Sequence, residues 1–131
     1  MSQRTISLYI PGQPIAKGRA RVTRRGTFTP QRTRIYERLV ATIAATKGPW
    51  TMTGPVRVVM LAVFARPKRM TGIRSQLPHD KRPDLDNVVK AVLDGLAAHL
   101  DDAAVFSVTA SKVYGAPDEA PHVSISLTEE T

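Results

Sequence analysis

The stretch VRVVMLAVF, residues 56–64, decides how the rest of the chain is arranged. All of its residues are apolar except Arg57, so a strand formed here has no polar face. Such runs are typical of a central strand that is covered on both sides. We therefore predict a sheet with this strand in its middle, and the flanking sequence should supply helices and partner strands.

The sequence before this stretch predicts one strand and one helix. Apolar side chains alternate with polar ones from Thr5 to Ile10, as in a half-buried strand that Pro11-Gly12 ends. Thr29-Pro30 is a favourable helix start, because Thr can accept a free backbone N–H and Pro suits the first helical position. Apolar residues then recur every four positions, which predicts a helix over about residues 30–46.

The sequence after it predicts a second helix and two more strands. An apolar stripe runs from Asp86 to Leu100, and Gly95 inside it suggests close packing against a strand. Alternating patterns follow at residues 105–114 and 122–127, joined by the hairpin-length loop GAPDEA. The predicted fold class is α/β (α+β), one domain over residues 1–131, with a mixed sheet and two helices in the order β-α-β-α-β-β.

Composition and length exclude several classes of protein. The chain has 131 residues, which fits one domain, and it has no cysteine, which excludes disulfides and thiolate metal sites. The three histidines lack zinc-ligand spacing. No apolar run has the length of a signal peptide or a membrane span, so we expect a cytoplasmic protein with no membrane partner.

Charge is distributed very unevenly along the chain. The formal net charge is +8; residues 1–82 hold 17 Lys/Arg against two acids, and residues 83–131 hold two against nine. A basic domain of this size usually binds polyanions, because Lys and Arg release counterions from a phosphate backbone. The alternative is that the two halves interleave in the fold and neutralise each other, although this would leave the net charge unexplained.

Two basic segments are candidates for binding DNA. Residues 12–29 combine charge with glycine, which favours an exposed arm or a twisted hairpin. Residues 65–83 have no apolar period and three prolines; loops this long are usually functional, the alternative being a tolerated insertion. The predicted DNA-binding residues are Lys17, Arg19, Arg21, Arg24, Arg25, Lys68, Arg69, Arg74, Lys81 and Arg82.

An acidic cluster stands directly after the second basic segment. Asp84 and Asp86 are two residues apart at the start of the second predicted helix, with Lys90 one turn further on. The pair Asp101-Asp102 follows the end of that helix. Aspartates at a helix start are also common for capping alone, so the spacing by itself leaves both interpretations open.

Carboxylates are hard oxygen ligands, suited to Mg²⁺ or, as an alternative, Mn²⁺. A bound Mg²⁺ can bind a phosphodiester oxygen and lower the pKa of its water, and a nearby ammonium can offset charge that develops on the phosphate. The pattern therefore favours a metal-dependent reaction on a phosphodiester.

Two motifs resemble those of RusA-type crossover junction endodeoxyribonucleases. The central one is RPDLDNVVKAVLDGL, residues 82–96, followed by DDAAV, residues 101–105. The other is IPGQPIAKGRAR, residues 10–21, followed by FTP, residues 28–30. The stretch AAHL, residues 97–100, is shorter than the resemblance leads us to expect and lacks a Gly-aromatic pair.

The resemblance implies a homodimer with a mixed α/β fold that resolves four-way (Holliday) junctions by paired symmetric nicks with Mg²⁺, in recombination and repair. It implies that Asp84, Asp86 and Asp102 are catalytic and bind the metal, and that Lys90 is the functional lysine, with Asp101 a weaker candidate. It also suggests a bacterial or prophage source.

Two rival functions remain from the residues alone. A non-catalytic basic module that binds nucleic acid would account for the charge but not for the acidic cluster beside it. A nucleotide-sugar transferase could use Asp84 and Asp86 to hold a metal diphosphate, but the chain has no evident second domain for the sugar nucleotide. Metal dependence separates the first rival from a nuclease, and the substrate separates the second.

Overall fold

A computed structural model describes residues 3–18, 21–28, 30–72 and 74–130. The long strands are β1 (Gln3–Pro11), β4 (Val56–Phe64), β6 (Val105–Tyr114) and β7 (His122–Glu130), and the helices are α1 (Gln31–Ala45) and α2 (Leu85–Gly95). Shorter elements are β2 (Arg21–Thr23), β3 (Gly26–Phe28), β5 (Leu77–Pro78) and a 3-10 turn at Asp102–Ala104.

The main sheet has the order β1-β7-β4-β6-β5, so β4 is its central strand, as the sequence predicts. β4 and β6 are parallel, and α2 lies on the crossover between them; the other neighbouring pairs are antiparallel. The sheet is therefore mixed, and the fold is the predicted α+β class. The hairpin-length loop does not join neighbours, because β4 lies between β6 and β7.

Both helices pack on one face of the sheet. Val56, Val58 and Met60 on β4 are buried in one core with residues of α1 and α2. On the opposite face Val59 is 49% exposed and Arg57 is also exposed. The prediction that β4 is covered on both sides is therefore wrong, because the two α-helices formed by the described residues both lie on the same face of the sheet.

The second helix is shorter than predicted. α2 ends at Gly95, and the chain then turns so that Leu100 forms a bridge with Met52. A Cβ atom on Gly95 would lie 2.7 Å from Val40 Cβ and 3.0 Å from the Glu37 carbonyl oxygen. The close packing inferred for this glycine is thus real, but its partner is α1 rather than a strand.

The N-terminal half follows the predicted pattern with small shifts. Of the two forms predicted for the first basic segment, an exposed arm or a hairpin, residues 21–28 form a hairpin from β2 and β3, with Gly26 at a φ of 124° in its turn. α1 begins one residue later than predicted, with Pro30 as its cap position and no side-chain cap; Thr29 lies outside the described residues. Among the described residues, no helix is long and apolar enough to cross a membrane.

Candidate metal and nucleic-acid site

Asp84 and Asp86 stand together at the N-terminus of α2. Asp84 is the N-cap residue, with extended backbone, and its carbonyl oxygen accepts the N–H groups of Asn87 and Val88 at 3.2 and 3.3 Å. Its carboxylate makes no cap hydrogen bond, and both aspartates are exposed. Among the described residues, Asp86 Oδ1 accepts a hydrogen bond from the adjacent Asn87 N–H alone, at 3.0 Å. Two carboxylates therefore face solvent where the helix dipole favours negative charge.

Two contacts hold this end of α2 against the rest of the fold. The Lys112 ammonium on β6 donates to the carbonyl oxygens of Lys81 and Pro83, the latter at 2.7 Å, and so fixes the peptide directly before Asp84. The backbone N–H of Lys17 donates to the Asn87 carbonyl oxygen at 2.8 Å. The base of the basic hairpin and the start of α2 are thereby joined.

A four-charge cluster lies further along α2. Lys17 Nζ lies 2.7 Å from Glu37 Oε2 on α1 and 3.0 Å from Asp94 Oδ2 on α2, while Lys90 Nζ lies 3.7 Å from Asp94 Oδ1. Burial by itself lowers the pKa of Lys17, but its hydrogen bonds to Glu37 and Asp94, and their charges, outweigh burial and raise it. Lys17, predicted to bind DNA, is thus engaged inside the fold, and a DNA contact from it stays a prediction.

Asp101 and Asp102 differ in what their side chains do. Asp101 caps the 3-10 turn, with Oδ1 accepting the Ala103 N–H at 3.0 Å. The exposed Asp102 carboxylate has no hydrogen bond or ion pair within the described part of the chain. Of the two, Asp102 is the one whose oxygens are available to a metal ion.

The fold separates Asp102 from Asp84 and Asp86 within one chain. α2 has 11 residues, so its ends are about 16 Å apart. Asp102 precedes Val105, which pairs with Val56 at the start of β4, whereas Lys112 contacts Pro83 near the end of β6. Metal ligands must lie within about 2–3 Å of the same ion. The three aspartates therefore do not form one site inside a single chain.

The described residues also lack a complete metal site. In residues 3–18, 21–28, 30–72 and 74–130, no group of three His, Cys, Asp or Glu side chains is arranged to hold an ion. Asp84 and Asp86 nevertheless suit a hard cation, because both are exposed oxygen donors without a salt bridge to any described Lys or Arg. They are the candidates for part of a metal site.

The remaining predicted DNA-binding residues lie on exposed surface where the structure describes them. Arg24 and Arg25 form the hairpin turn, and the loop between β4 and α2 presents its basic residues to solvent. Arg19 and the side chain of Arg21 lie outside the described residues. The exposed members of the predicted set are Arg24, Arg25, Lys68, Arg69, Arg74, Lys81 and Arg82.

His79 is buried at the same end of the molecule as Asp84. Its ring stacks on Phe64 at 4.1 Å and against Tyr114 at 4.5 Å between centroids, and its Nδ1 has no hydrogen bond within the described residues. Burial, together with the positive charge of Lys112, lowers the pKa of His79. This histidine is therefore a packing residue beneath the loop that leads to Asp84.

Sequence reasoning missed two basic residues that organise this region. Lys112 holds the peptide before Asp84, and Arg66 donates to the carbonyl oxygens of Met70, Ser75 and Gly115, which shapes the loop between β4 and α2. A signal for Lys112 existed, because residues 83–131 hold only one other basic residue, Lys90. No feature of the sequence distinguishes Arg66 from the other basic residues of the same loop.

Comparison with known proteins adds two findings. The model of the family described as Endodeoxyribonuclease RusA matches residues 11–128. The uncharacterized protein YqaN of Bacillus subtilis (strain 168) is 29% identical over 139 residues, which cover 95% of this chain and 96% of that protein. The matched region takes in both helices, the hairpin and the aspartates at both ends of α2.

Proposed function

Because the chain belongs to the RusA endodeoxyribonuclease family, we propose that it is a Mg²⁺-dependent, homodimeric resolvase that cuts four-way DNA junctions by paired symmetric nicks during recombination and repair. Family membership supports an endonuclease acting on Holliday junctions. The observation that carries the metal dependence is the pair of exposed, unpaired carboxylates of Asp84 and Asp86 in a chain of net charge +8.

The metal would be held by Asp84 and Asp86 together with Asp102. Since Asp102 lies at the opposite end of α2, we propose that it comes from the second copy of the chain, so that each dimer has two sites, each shared between the protomers. When bound, Mg²⁺ would supply a positive charge for a phosphodiester oxygen and a more acidic water. Mn²⁺ has similar ligand preferences and is the alternative ion.

We assign to Lys90 the role of acting on the phosphate beside this pair. Its side chain is 58% exposed and lies one helical turn after Asp86, and its contact with Asp94 is loose at 3.7 Å. An ammonium there can offset negative charge that develops on the phosphate during displacement. Asp94 would hold this ammonium near the scissile position without neutralising it fully.

The exposed basic hairpin turn and the loop between β4 and α2 would grip the junction arms. Contacts from Lys and Arg to phosphates position DNA without reading its sequence, which suits an enzyme that selects structure. Arg24, Arg25, Arg69 and Lys81 are among the exposed cations in these two segments. The setting we propose is the cytoplasm of a bacterium or of a prophage-carrying host.

The test is a nicking assay on a synthetic four-way junction, with the wild type and Asp86→Asn, in Mg²⁺ and in EDTA. We expect symmetric nicks by the wild type in Mg²⁺ alone, and a loss of about 10²-fold or more in the variant, which should still bind the junction. Asp118→Asn is the matched control, since Asp118 is exposed in the loop between β6 and β7.

Two results would count against the proposal. Tight junction binding by the wild type without cleavage in Mg²⁺ or Mn²⁺ would leave the non-catalytic binding module. If Asp86→Asn lost both junction binding and junction cleavage while Asp118→Asn kept both, Asp86 would have a structural role rather than a catalytic one.

A further inference from the structure

The segment that leads into Asp84 is tied to one residue of β6. The chain from His79 to Pro83 lies in no helix or strand. The His79 N–H donates to the Lys112 carbonyl oxygen at 3.1 Å. The Lys112 ammonium donates to the carbonyl oxygens of Lys81 and Pro83, the latter at 2.7 Å. Lys112 therefore binds every second residue of this segment, and the last of them directly precedes Asp84.

Lys112 is a charged residue on the apolar face of its strand. It is the register partner of Ala62, which is fully buried in the core, so its side chain starts on the face that the helices cover. Lys112 is half-buried and has no salt bridge to any described Asp or Glu. A charge in such a place costs free energy unless it is hydrogen-bonded. An apolar side chain would serve for packing alone, so the ammonium indicates a further role.

The two ammonium contacts restrict the backbone from which the Asp84 side chain projects. Asp84 has extended backbone, with φ −66° and ψ 141°, and its carboxylate makes no cap hydrogen bond. The direction of that carboxylate is therefore set by the peptides on either side, which are the first turn of α2 and the Pro83 peptide that Lys112 holds. Partners that orient a ligand without touching the metal typically change metal affinity by about 10–100-fold.

We propose that Lys112 is a positioning residue for the metal pair. Its ammonium holds the Pro83 peptide so that the Asp84 carboxylate can share one ion with Asp86, and it acts through this peptide rather than by contact with the ion. The proposal rests on the metal dependence given under the proposed function. Its sign is distinctive: a positive charge near the site repels a divalent cation, whereas a well-positioned ligand favours binding.

Direct Mn²⁺ binding to the full-length protein, measured by electron paramagnetic resonance, separates these two effects. Mn²⁺ has ligand preferences similar to those of Mg²⁺, and Asp84→Asn should abolish binding and so assign the site. Lys112→Met keeps a side chain of similar length without the ammonium. We expect its Kd for Mn²⁺ to rise about tenfold or more. Unchanged or tighter binding by this variant would overturn the proposal.

Nicking of a four-way junction gives a second readout for the same variant. Because the aspartates themselves are intact in Lys112→Met, the Mg²⁺ concentration for half-maximal nicking should rise by the same factor as the Mn²⁺ Kd. Excess Mg²⁺ should then restore the nicking rate. A loss of rate that excess Mg²⁺ does not restore, with unchanged Mn²⁺ binding, would contradict a role in positioning the ligand.

Leu77→Ala is the control for a general loss of stability at this end of the sheet. Leu77 is partly buried on β5, which pairs with the end of β6, and its truncation leaves the Lys112 contacts in place. Urea denaturation measures the stability of both variants. We expect Leu77→Ala to be less stable than the wild type but to bind Mn²⁺ normally. An equal rise of the Kd in both variants would make Lys112 a structural residue and refute the proposal.

Chemical rescue keeps the test decisive if Lys112→Met folds poorly. The chain has no cysteine, so Lys112→Cys can be alkylated selectively with 2-bromoethylamine in urea and then refolded, which restores an ammonium at nearly the same distance from the backbone. We expect Lys112→Cys to bind Mn²⁺ weakly and the alkylated protein to regain most of the wild-type affinity. Refolding without recovery of affinity would refute the positioning role.

Failure of this proposal and failure of the proposed function give different results. If the wild type nicks junctions and Lys112→Met binds Mn²⁺ as well as the wild type, the nuclease stands and the role of Lys112 is refuted. If Lys112→Met weakens Mn²⁺ binding but the wild type nicks no junction, the role of Lys112 stands and the nuclease is refuted. A wild type that binds no Mn²⁺ refutes both.

Discussion

The two ends of α2 carry different halves of the proposed chemistry. At its N-terminus, Asp84 and Asp86 are exposed on a backbone that Lys112 and Lys17 hold in place. Beyond its C-terminus, Asp102 stands on a short 3-10 turn, with Asp101 as the cap of that turn. One end is surrounded by the basic loop and hairpin, and the other is acidic.

This difference teaches that a motif contiguous in sequence need not be one site in space. A helix of 11 residues inserts about 16 Å between the two groups, much more than a metal ion can bridge. Under the proposed function, each chain supplies two incomplete parts of a metal site, and a dimer would join them. The largest consequences should therefore follow from changes that separate or recombine the two ends.

The strongest test mixes two inactive variants. Asp86→Asn and Asp102→Asn should each lose about 10²-fold or more of junction cleavage, because each removes a ligand from both sites of its dimer. If the sites are shared between protomers, a mixed dimer keeps one site with all three aspartates. An equal mixture should regain roughly a quarter of the wild-type sites. Nicking of a labelled junction after co-refolding measures this.

The matched mixture for that test combines Asp84→Asn with Asp86→Asn. Both changes lie at the same end of α2, so no mixed dimer has a complete site and activity should stay low. Equal recovery in both mixtures, or none in either, would contradict a site shared between the two ends.

Lys17 joins the basic hairpin to the middle of α2. Removing its side chain tests how much this contact stabilises the N-terminal end of α2. Lys17→Met leaves Glu37 and Asp94 without the cation between them and should cost about 1–2 kcal/mol of unfolding free energy, measured by urea denaturation. Lys47→Met, at an exposed lysine after α1, should cost about 0.5 kcal/mol or less. Equal stabilities would show that the cluster contributes nothing to the fold.

The smallest effect concerns pH at the Asp84 end. The folded state lowers the pKa of His79, so the unfolded state takes up a proton first as pH falls through 6.5. The stability associated with a neutral His79 is complete above that pH and declines below it. His79→Phe keeps the stacking on Phe64 without a titrating group, so its stability should decline less between pH 7.5 and 5.5. Parallel stability curves would refute this assignment.

Local patterns predicted the elements well because each depends on its own segment. The run at residues 56–64 is the central strand, the alternation at Thr5 to Ile10 is β1, and Asp84 and Asp86 mark the start of α2. Where a prediction failed, a distant partner decided the outcome. The close packing at Gly95 depends on Val40 of α1, and the separation of β6 from β7 depends on β4.

The sequence by itself determined the elements, the basic surface and the family, since periodicity, charge and motif are properties of consecutive residues. Only the tertiary structure decided that Asp102 lies a helix length from Asp86 and that Lys17 is paired inside the fold. It also decided that β6 is left with an open edge. These three features depend on the direction of α2 across the sheet and on the order of the strands within it. Both properties arise only when all the segments pack together.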